Sequence, residues 1–347
     1  MKLKNSKIIA ICSFLALLVL PNIAMLFDAD FNPNLNNPLE SVKEVKFEFE
    51  TNFGLKSLFL NGYLTMKSKV LKDNTLPHKA FEGKKKWWFL GNDYNNTLDN
   101  AFGVNCYTKN ELNKIEDLLH SWQNYLENIG VSFYVVMPPN KNIVYREHLP
   151  FQLIQKKTIG QQVKEHLGSN NKINFIDLTE SVISAKSSYP TFIKTDTHWN
   201  DYGAFIGYNH TMKVINTSFD FKIENLSDYS FNYNSYYAGD IPQLIKSESY
   251  SVNLMLRKVQ CQSKNTFMDE FRRTYKNTIK SGNILVYHDS FMLAMMPFIN
   301  ETFGEVNYIK SYQLDTEEIL KHKPDILILE LVERNLDVLL KLKKPLN

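Results

Sequence analysis

Apolar residues follow two spacings along this chain, one typical of helices and the other of buried strands. Residues 112–126 carry an apolar side chain every three or four positions, which predicts an amphipathic helix. Thr108 and Glu111 stand just before it at the spacing of a capping box, so the helix is predicted to begin there. Residues 131–137 then form a continuous apolar run that ends at two prolines, which predicts a buried strand.

The same pairing of helix and strand recurs towards the C-terminus. Further predicted strands are residues 174–178, 284–288, 306–309 and 325–332, and further predicted helices are residues 159–167, 202–215, 291–298 and 315–321. Apolar strands separated by helices predict an α/β fold with a mostly parallel sheet flanked by helices. Residues 217–280 are rich in Asn, Ser and Tyr, so they are predicted to be an irregular insertion.

The N-terminus has the pattern of a membrane anchor. An uncharged run spans residues 8–27 and follows Lys2, Lys4 and Lys7. About 20 apolar residues cross the hydrocarbon of a bilayer as a helix, and a basic flank stays in the cytoplasm. A cleaved signal peptide is the alternative, although no clear cleavage site precedes Asp28. The predicted organisation is a transmembrane signal-anchor in residues 1–28, a juxtamembrane region in 29–80 and the α/β domain in 81–347.

The amino-acid composition limits the classes of molecule that the protein is expected to bind. A net charge of +3 with 22% charged residues gives no basic surface for nucleic acid, so no nucleic-acid partner is expected. Aromatic residues make up 13% of the chain, which suits sugar stacking but is more often a matter of core packing. Cys106 and Cys261 follow the predicted anchor, and the sequence leaves open whether they form a disulfide.

Candidate chemistry lies in two short segments. Asp196 and His198 are separated by one residue, a spacing that allows the carboxylate to orient the imidazole as a general base. Ser290 follows the predicted strand 284–288, at a place where parallel-sheet proteins gather reactive groups. A helix cap is the alternative for Asp289 and for Ser290. A metal site is the alternative for the Asp-His pair, but no further ligands stand at suitable spacing, so no metal or cofactor is expected.

A family resemblance joins the two segments. Asp-Thr-His-Trp at residues 196–199, with Lys194 before and Asn200 after, resembles the DxHW signature of the alginate O-acetyltransferase family. His-Asp-Ser-Phe at residues 288–291 is similar to the family's DSF block. Weaker similarities in the same order are at residues 87–90, 136–150, 239–240 and 330–336.

The resemblance implies an SGNH-hydrolase-like (flavodoxin-like) domain with a Ser-His-Asp triad. Ser290 is then the nucleophile, His198 the general base and Asp196 the residue that orients His198. The implied reaction is acetyl transfer to hydroxyls of a secreted or cell-surface polysaccharide through an acetyl-serine. Trp199 is a candidate for stacking on the sugar, although packing is the more common role. Arg334 and Lys141 are candidates to contact the substrate, with ordinary ion pairs as the alternative.

The resemblance also implies partners and leaves alternatives. It implies a membrane-bound O-acyltransferase that delivers acetyl groups, and a catalytic domain in the periplasm or outside the cell. The same residues serve a carbohydrate acetyl esterase if water replaces the sugar, and a non-catalytic subunit of an acetylation complex is the third interpretation. His288 occupies a position where SGNH relatives often have Gly, which leaves the oxyanion geometry open. No block resembling a separate carbohydrate-binding module follows residue 336, so none is expected.

Overall fold

The residues that the computed structural model describes are 79–150, 156–168 and 173–345, together with Phe14, Leu15 and Val19. Two units divide the chain, residues 1–74 and residues 75–347. Apart from the three N-terminal positions, every described residue belongs to the second unit. Within the described parts, no helix has the length and apolar character needed to cross a membrane. The span predicted at residues 8–27 lies outside them except for those three positions.

Short strands and helices follow one another along the described chain. The strands are β1 Ala80–Glu82, β2 Trp88–Leu90, β3 Ser132–Met137, β4 Asn174–Asp177, β5 Tyr229–Ala238, β6 Tyr250–Lys258, β7 Lys264–Met268, β8 Arg272–Lys276, β9 Asn283–Tyr287, β10 Glu305–Ile309 and β11 Ile326–Glu330. The α-helices are α1 Thr97–Phe102, α2 Lys109–Asn128, α3 Lys141–Val144, α4 Ile159–Gly168, α5 Thr179–Ala185, α6 Asp201–Ile215, α7 Asp240–Gln243, α8 Met292–Thr302 and α9 Thr316–His322. Short 3-10 helices are Lys84–Lys86, Arg146–His148, Leu226–Asp228 and Glu333–Lys341.

One large sheet organises the domain. Among the described strands, seven form this sheet in the order β4-β3-β11-β9-β10-β8-β7. The first five of these run parallel, and β8 and β7 add an antiparallel edge. The predicted mostly parallel sheet flanked by helices is therefore confirmed. The carboxyl ends of β3, β11 and β9 meet at one edge, which is where ligands bind in such sheets.

Strand β11 shows why the apolar runs are continuous. Its alternate residues Ile326 and Ile328 pack into the cluster that includes helices α6 and α8. Leu327 and Leu329 pack into the cluster on the other face, with helices α2 and α4. Both faces are buried, so Ile326 to Leu329 are all apolar, and the buried Glu330 ends the strand. Truncating one of these side chains to alanine is expected to cost about 2–5 kcal/mol of folding free energy.

The predicted start of helix α2 is confirmed at atomic detail. Thr108 Oγ1 accepts a hydrogen bond from Glu111 N over 3.2 Å, and Glu111 Oε2 accepts one from Thr108 N over 2.8 Å. These reciprocal bonds satisfy two backbone donors that the first helical turn leaves without partners. The side chains that α2 buries are Ile115, Leu118, Leu119, Trp122, Gln123 and Leu126.

The interpretation of residues 217–280 as irregular is corrected by the structure. Strands β5 and β6 form a long antiparallel ribbon in this segment, and β7 and β8 complete the edge of the main sheet. Most of β5 and all of β7 are exposed. Because exposed strands need no apolar face, they lack the period-two hydrophobic signal by which strands are recognised.

Cys106 and Cys261 are both exposed free thiols. The disulfide that the sequence left open is therefore absent from the described structure. Cys106 Sγ instead lies 3.7 Å from Gly103 O, as a weak local donor.

Candidate active site

The Asp-Thr-His-Trp segment forms a tight loop just before helix α6. A single bridge between Phe192 and Trp199 closes its base. Asn200 then caps the helix, because its side chain accepts a hydrogen bond from Gly203 N over 2.9 Å. Ser290 reaches the same place from the carboxyl end of β9, two residues before helix α8 begins.

Ser290, His198 and Asp196 form a chain of hydrogen bonds. His198 Nε2 lies 2.8 Å from Ser290 Oγ, and His198 Nδ1 lies 2.7 Å from Asp196 Oδ1. The same carboxylate oxygen accepts a bond from His198 N over 3.0 Å. Because an ionised carboxylate can only accept, the ring proton belongs on Nδ1, which leaves Nε2 as a base facing the hydroxyl.

Asp196 is held in its ionised form. Burial raises the pKa of Asp196, but hydrogen bonds from the ring and the backbone of His198 outweigh burial, and the pKa lies below its usual value. Asp196 Oδ2 accepts a further bond from the Tyr237 hydroxyl over 3.1 Å. Tyr237 belongs to β5, so the supposedly irregular segment contributes to the site.

Asp240 is a second carboxylate at the site, and in the sequence it stood only within the weak family similarity at residues 239–240. Its Oδ1 accepts a bond from Thr197 N over 2.7 Å, and its Oδ2 accepts one from Thr197 Oγ1 over 2.6 Å. Oδ2 also lies 3.8 Å from His198 Nδ1. Burial and the charge of Asp196 raise the pKa of Asp240. The Gly-Asp pair was visible in the sequence, but nothing local showed which segment it would meet.

Gly239 explains why this approach is possible. A Cβ atom at Gly239 would lie 2.0 Å from Thr195 O, far closer than atoms can pack. The next residue but one, Ile241, donates its N–H to the same carbonyl over 3.2 Å. Glycine therefore lets the backbone of residues 239–241 pack directly against the loop that holds His198.

Asp196, His198 and Asp240 also form a group with metal-ligand chemistry. One ligand atom from each lies within 4.8 Å of the others. The sequence did not foresee this third ligand, since Asp240 is distant along the chain. Hydrogen bonds to the ring, to Tyr237 and to Thr197 already account for the placement of these atoms.

Lys141 lies beneath the loop and not in the cleft, where the sequence had suggested a substrate contact. Its buried ammonium donates to the carbonyls of Ile193, Lys194 and Asp196 over 3.1, 3.1 and 2.6 Å. Burial lowers the pKa of Lys141 to about 7, against the opposing charges of Asp196 and Asp240. Lys141 therefore holds the backbone of the loop from below.

Trp199 and Arg334, the other suggested substrate contacts, have different surroundings. Trp199 borders the cleft but is only 2% exposed, and its Nε1 donates to Phe291 O over 3.0 Å. Arg334 donates to Asn140 Oδ1 over 3.1 Å and lies over the Phe291 ring. Trp199 thus packs the residue after Ser290, and Arg334 is not among the described residues that line the cleft.

Asp289 ties two strand ends together. Its Oδ1 accepts a bond from Phe291 N, and its Oδ2 accepts bonds from Val332 N and Asn335 Nδ2, each over 2.9 Å. Asp289 N donates to Glu330 Oε2 over 3.1 Å. Asp289 therefore fixes the turn that presents Ser290 against the end of β11, and does more than cap a helix.

His288, noted in the sequence as a departure, packs into the protein interior. Its ring is buried against Tyr308, and its Nδ1 lies 2.6 Å from Asp289 O. Burial lowers the pKa of His288, which favours the neutral ring.

A small cleft of about 220 Å³ opens beside the Ser290 hydroxyl. The residues that line it are Ile193, Asp196, His198, Trp199, Asn200, Asp201, Tyr237, Asn253, Ser290, Leu293 and Ala294. A hydroxyl nucleophile with a base at its oxygen and room for a small ligand is the arrangement of acyl transfer or ester hydrolysis.

Comparison with known families agrees with this chemistry. Residues 80–278 match the model of the AlgX acetyltransferase, SGNH hydrolase-like domain family, which is more than half of the chain. The matched part contains Asp196, His198 and Asp240, and it ends before Ser290. No curated protein has significant similarity to the sequence.

Solved structures share the fold at low identity. Bacillus cereus PatB1 with a sulfonyl adduct is 16% identical, with a TM-score of 0.58 over 76% of this chain and 97% of that one. Another structure of Bacillus cereus PatB1 is 18% identical, with a TM-score of 0.54 over 73% of this chain and 95% of that one. A DHHW family protein from Eubacterium siraeum is 13% identical, with a TM-score of 0.50 over 63% and 84%. At these identities the likeness shows the fold alone.

Proposed function

Because the chain belongs to the family of AlgX-type SGNH hydrolase-like acetyltransferase domains, we propose that it acetylates hydroxyls of a secreted or cell-surface polysaccharide. One observation supports this above all others, the 2.8 Å contact between His198 Nε2 and Ser290 Oγ with Asp196 at Nδ1. A base in hydrogen-bond contact with a hydroxyl and oriented by a carboxylate is the arrangement that activates a serine.

The first half of the proposed reaction loads the serine. Ser290 Oγ attacks the carbonyl carbon of an acetyl donor while His198 Nε2 takes the hydroxyl proton. The bond from that carbon to the donor's leaving group then breaks, and the leaving group receives the proton from His198. The product is acetyl-Ser290, and Asp196 stabilises the imidazolium that forms on the way.

The second half delivers the acetyl group. His198 Nε2 takes a proton from an acceptor hydroxyl, whose oxygen attacks the acetyl carbon. The bond from that carbon to Ser290 Oγ breaks, and the serine regains its proton. Helix α8 begins at Met292, two residues after Ser290, so we place the oxyanion of both halves at the start of this helix.

Hydrolysis is the competing outcome, which would make the protein a carbohydrate acetyl esterase. The His198 side chain is 30% exposed, so water has access to the base. Transfer requires an acceptor that is bound and positioned faster than water reacts. The family of the chain favours transfer.

The proposed setting is the outer side of a membrane. The basic residues before the uncharged run at 8–27 support an N-terminal anchor with the domain in the periplasm or outside the cell. An acetyl donor must then cross the bilayer, which is the proposed task of a membrane-bound O-acyltransferase partner. Alkaline phosphatase fused after residue 347 should be active in cells, and an inactive but intact fusion would contradict the orientation.

The test of the function is capture of the acetyl group. The full chain incubated with 4-nitrophenyl acetate and quenched in acid should carry acetyl on the peptide that contains Ser290. Ser290→Ala should abolish both this adduct and acetylated sugar, whereas Ser281→Ala, at an exposed position two residues before β9, should change neither. Undiminished polysaccharide acetylation in cells that carry only Ser290→Ala would instead indicate a non-catalytic subunit.

A covalent inhibitor gives a second readout. PatB1 has been solved with a sulfonyl adduct, so a sulfonyl fluoride is the reagent to try on this chain. It should modify Ser290 and block acetyl capture in parallel. Inactivation without modification of Ser290 would contradict its role as nucleophile.

A further inference from the structure

Two polar side chains that no motif singled out lie in the wall of the cleft. Asn253 belongs to strand β6, and Asp201 is the first residue of helix α6. Both line the cleft together with His198 and Ser290. They are therefore placed to contact the group that takes the acetyl from Ser290.

Asn253 has hydrogen-bonding capacity that the described protein leaves unused. Its Oδ1 is buried and has no hydrogen-bond partner among the described residues. A side-chain amide offers two donors and one acceptor oxygen, and leaving such an oxygen desolvated and unpaired costs folding free energy. Because Asn253 lines the cleft, a hydroxyl bound there can meet this need once the amide turns towards it, since a hydroxyl both donates and accepts.

Asp201 is held by the strand that carries Asn253. Its Oδ2 accepts a hydrogen bond from Leu256 N over 2.9 Å, so α6 and β6 fix the carboxylate relative to the amide. Burial raises the pKa of Asp201, against the lowering effect of that bond. A partly desolvated carboxylate is a strong acceptor for a ligand hydroxyl.

The remaining wall is apolar. Leu293 and Ala294 of helix α8 line the cleft beside Ser290, with Ile193 and Trp199. Drug-sized ligands fill roughly 300–1,000 Å³, so a cleft of about 220 Å³ takes a smaller unit. A single sugar ring fits this description, since it has hydroxyls at its edges and C–H groups on its faces.

The charge of the wall selects among sugars. Asp196 and Asp201 line the cleft, whereas no lysine or arginine is among its described lining residues. The Lys141 ammonium is bound to loop carbonyls, and Arg334 is bound to Asn140. A carboxylate on the sugar would therefore approach two negative charges with no cation in the described lining, and the exposed Arg257 acts on Asp201 from outside it.

We propose that Asn253 and Asp201 form the acceptor subsite, and that this subsite takes an uncharged pyranose, a hexose or an N-acetylhexosamine, and rejects a uronate. The inference rests on the proposed transfer through acetyl-Ser290. Asn253 and Asp201 hold hydroxyls of the ring, so that one further hydroxyl meets His198 Nε2 and the acetyl carbon.

The experiment compares matched acceptors. The full chain receives 4-nitrophenyl acetate with oligosaccharides of glucose, of N-acetylglucosamine or of glucuronate of equal length. Mass spectrometry of the sugars and release of acetate give the ratio of transfer to hydrolysis. At least one uncharged acceptor should exceed the glucuronate about tenfold in this ratio. Equal use of glucuronate, or no transfer to either uncharged sugar, overturns the proposal.

Variants test the two residues separately. Asn253→Ala should lower the ratio of transfer to hydrolysis for the uncharged acceptor about tenfold. Asn253→Asp should lower this ratio further for glucuronate. Asp201→Asn should raise transfer to glucuronate several-fold, because it removes a charge and keeps the size. Asn232→Ala, on the exposed part of the same ribbon, is the control. An equal loss with every acceptor would mean a structural role and overturn the proposal.

Formation of acetyl-Ser290 distinguishes failure of the subsite proposal from failure of the proposed function. If the unmodified chain forms acetyl-Ser290 but does not discriminate between the sugars, only the subsite is wrong. If no acetyl appears on Ser290, both the function and the subsite are wrong. Binding of the uncharged oligosaccharide to Ser290→Ala, weakened by adding Asn253→Ala, gives support that does not depend on turnover.

Discussion

Thr197 donates its hydroxyl to Asp240 Oδ2 over 2.6 Å and its backbone N–H to Asp240 Oδ1 over 2.7 Å. The Thr197 hydroxyl oxygen also lies 3.1 Å from His198 Nδ1. Asp240 thus fixes the residue between Asp196 and His198, and it acts on the imidazole through Thr197.

Removing the hydrogen bonds between Thr197 and Asp240 should slow acetyl transfer. Asp240→Asn leaves an amide that cannot accept both Thr197 bonds, so we expect the rate of acetyl-Ser290 formation to fall about tenfold. Thr197→Val should cause a similar fall, and the double variant should lose little more, since the two residues act as one unit. Asp228→Asn, in an exposed 3-10 helix, is the control. Full additivity of the two effects would show that Asp240 acts independently of Thr197.

Lys141 should be a large contributor to the stability of the loop. Lys141→Met keeps the length of the side chain but leaves three carbonyls without their donor. We expect the free energy of unfolding to fall by about 3 kcal/mol, as measured by urea denaturation. Lys194→Met, an exposed lysine of the same loop, should change it by less than about 0.5 kcal/mol. Equal effects would contradict the role given to Lys141.

Glu333 should make stability depend on pH. Burial raises the pKa of Glu333 from 4.5 to about 7, so the folded protein holds this proton more tightly than the unfolded chain. The free energy of unfolding should therefore fall as pH rises from about 4.5 to about 7, by at most about 1.4 kcal/mol per pH unit.

Glu333→Gln should remove this part of the slope, because glutamine mimics the protonated acid. Urea denaturation at about pH 5 and about pH 8 compares the variant with the unmodified chain. Glu317→Gln, an exposed glutamate of α9, should leave the slope unchanged. Identical slopes for Glu333→Gln and the unmodified chain would mean that Glu333 is ionised throughout.

Trp199 should support structure more than it binds sugar. Trp199→Phe keeps a ring but loses the bond from Nε1 to Phe291 O, so we expect a loss of about 1 kcal/mol of unfolding free energy. Trp122→Phe, which loses a similar bond to Lys343 O far from the site, should cost about the same. Unchanged stability with a raised acceptor KM would favour sugar stacking instead.

The features that sequence predicts well are those encoded locally. The apolar runs of β3 and β11 and the capping box at Thr108 each depend on neighbouring residues, and each gave its element directly. The pairing of Asp196 with His198 is also local. Its contact with Ser290 spans 92 positions, and the sequence alone reached that serine through the position of a strand end and a family resemblance.

The features that could not be predicted from the sequence depend on contacts between residues that are far apart in the chain. Asp240 meets Thr197 only because Gly239 allows two backbones to touch. Lys141 was suggested as a cleft residue, yet its buried ammonium donates to three carbonyls of a distant loop. Neither approach leaves a periodic signal in the chain.

The position of β11 governs when the protein can become active. It is the last strand of the described chain, yet it lies between β3 and β9 at the centre of the sheet. Strands β3 and β9 therefore lack the strand that pairs with both of them until β11 has been synthesised. A chain that still lacks β11 has an incomplete sheet beneath the site, so we expect it to be inert towards acetyl donors.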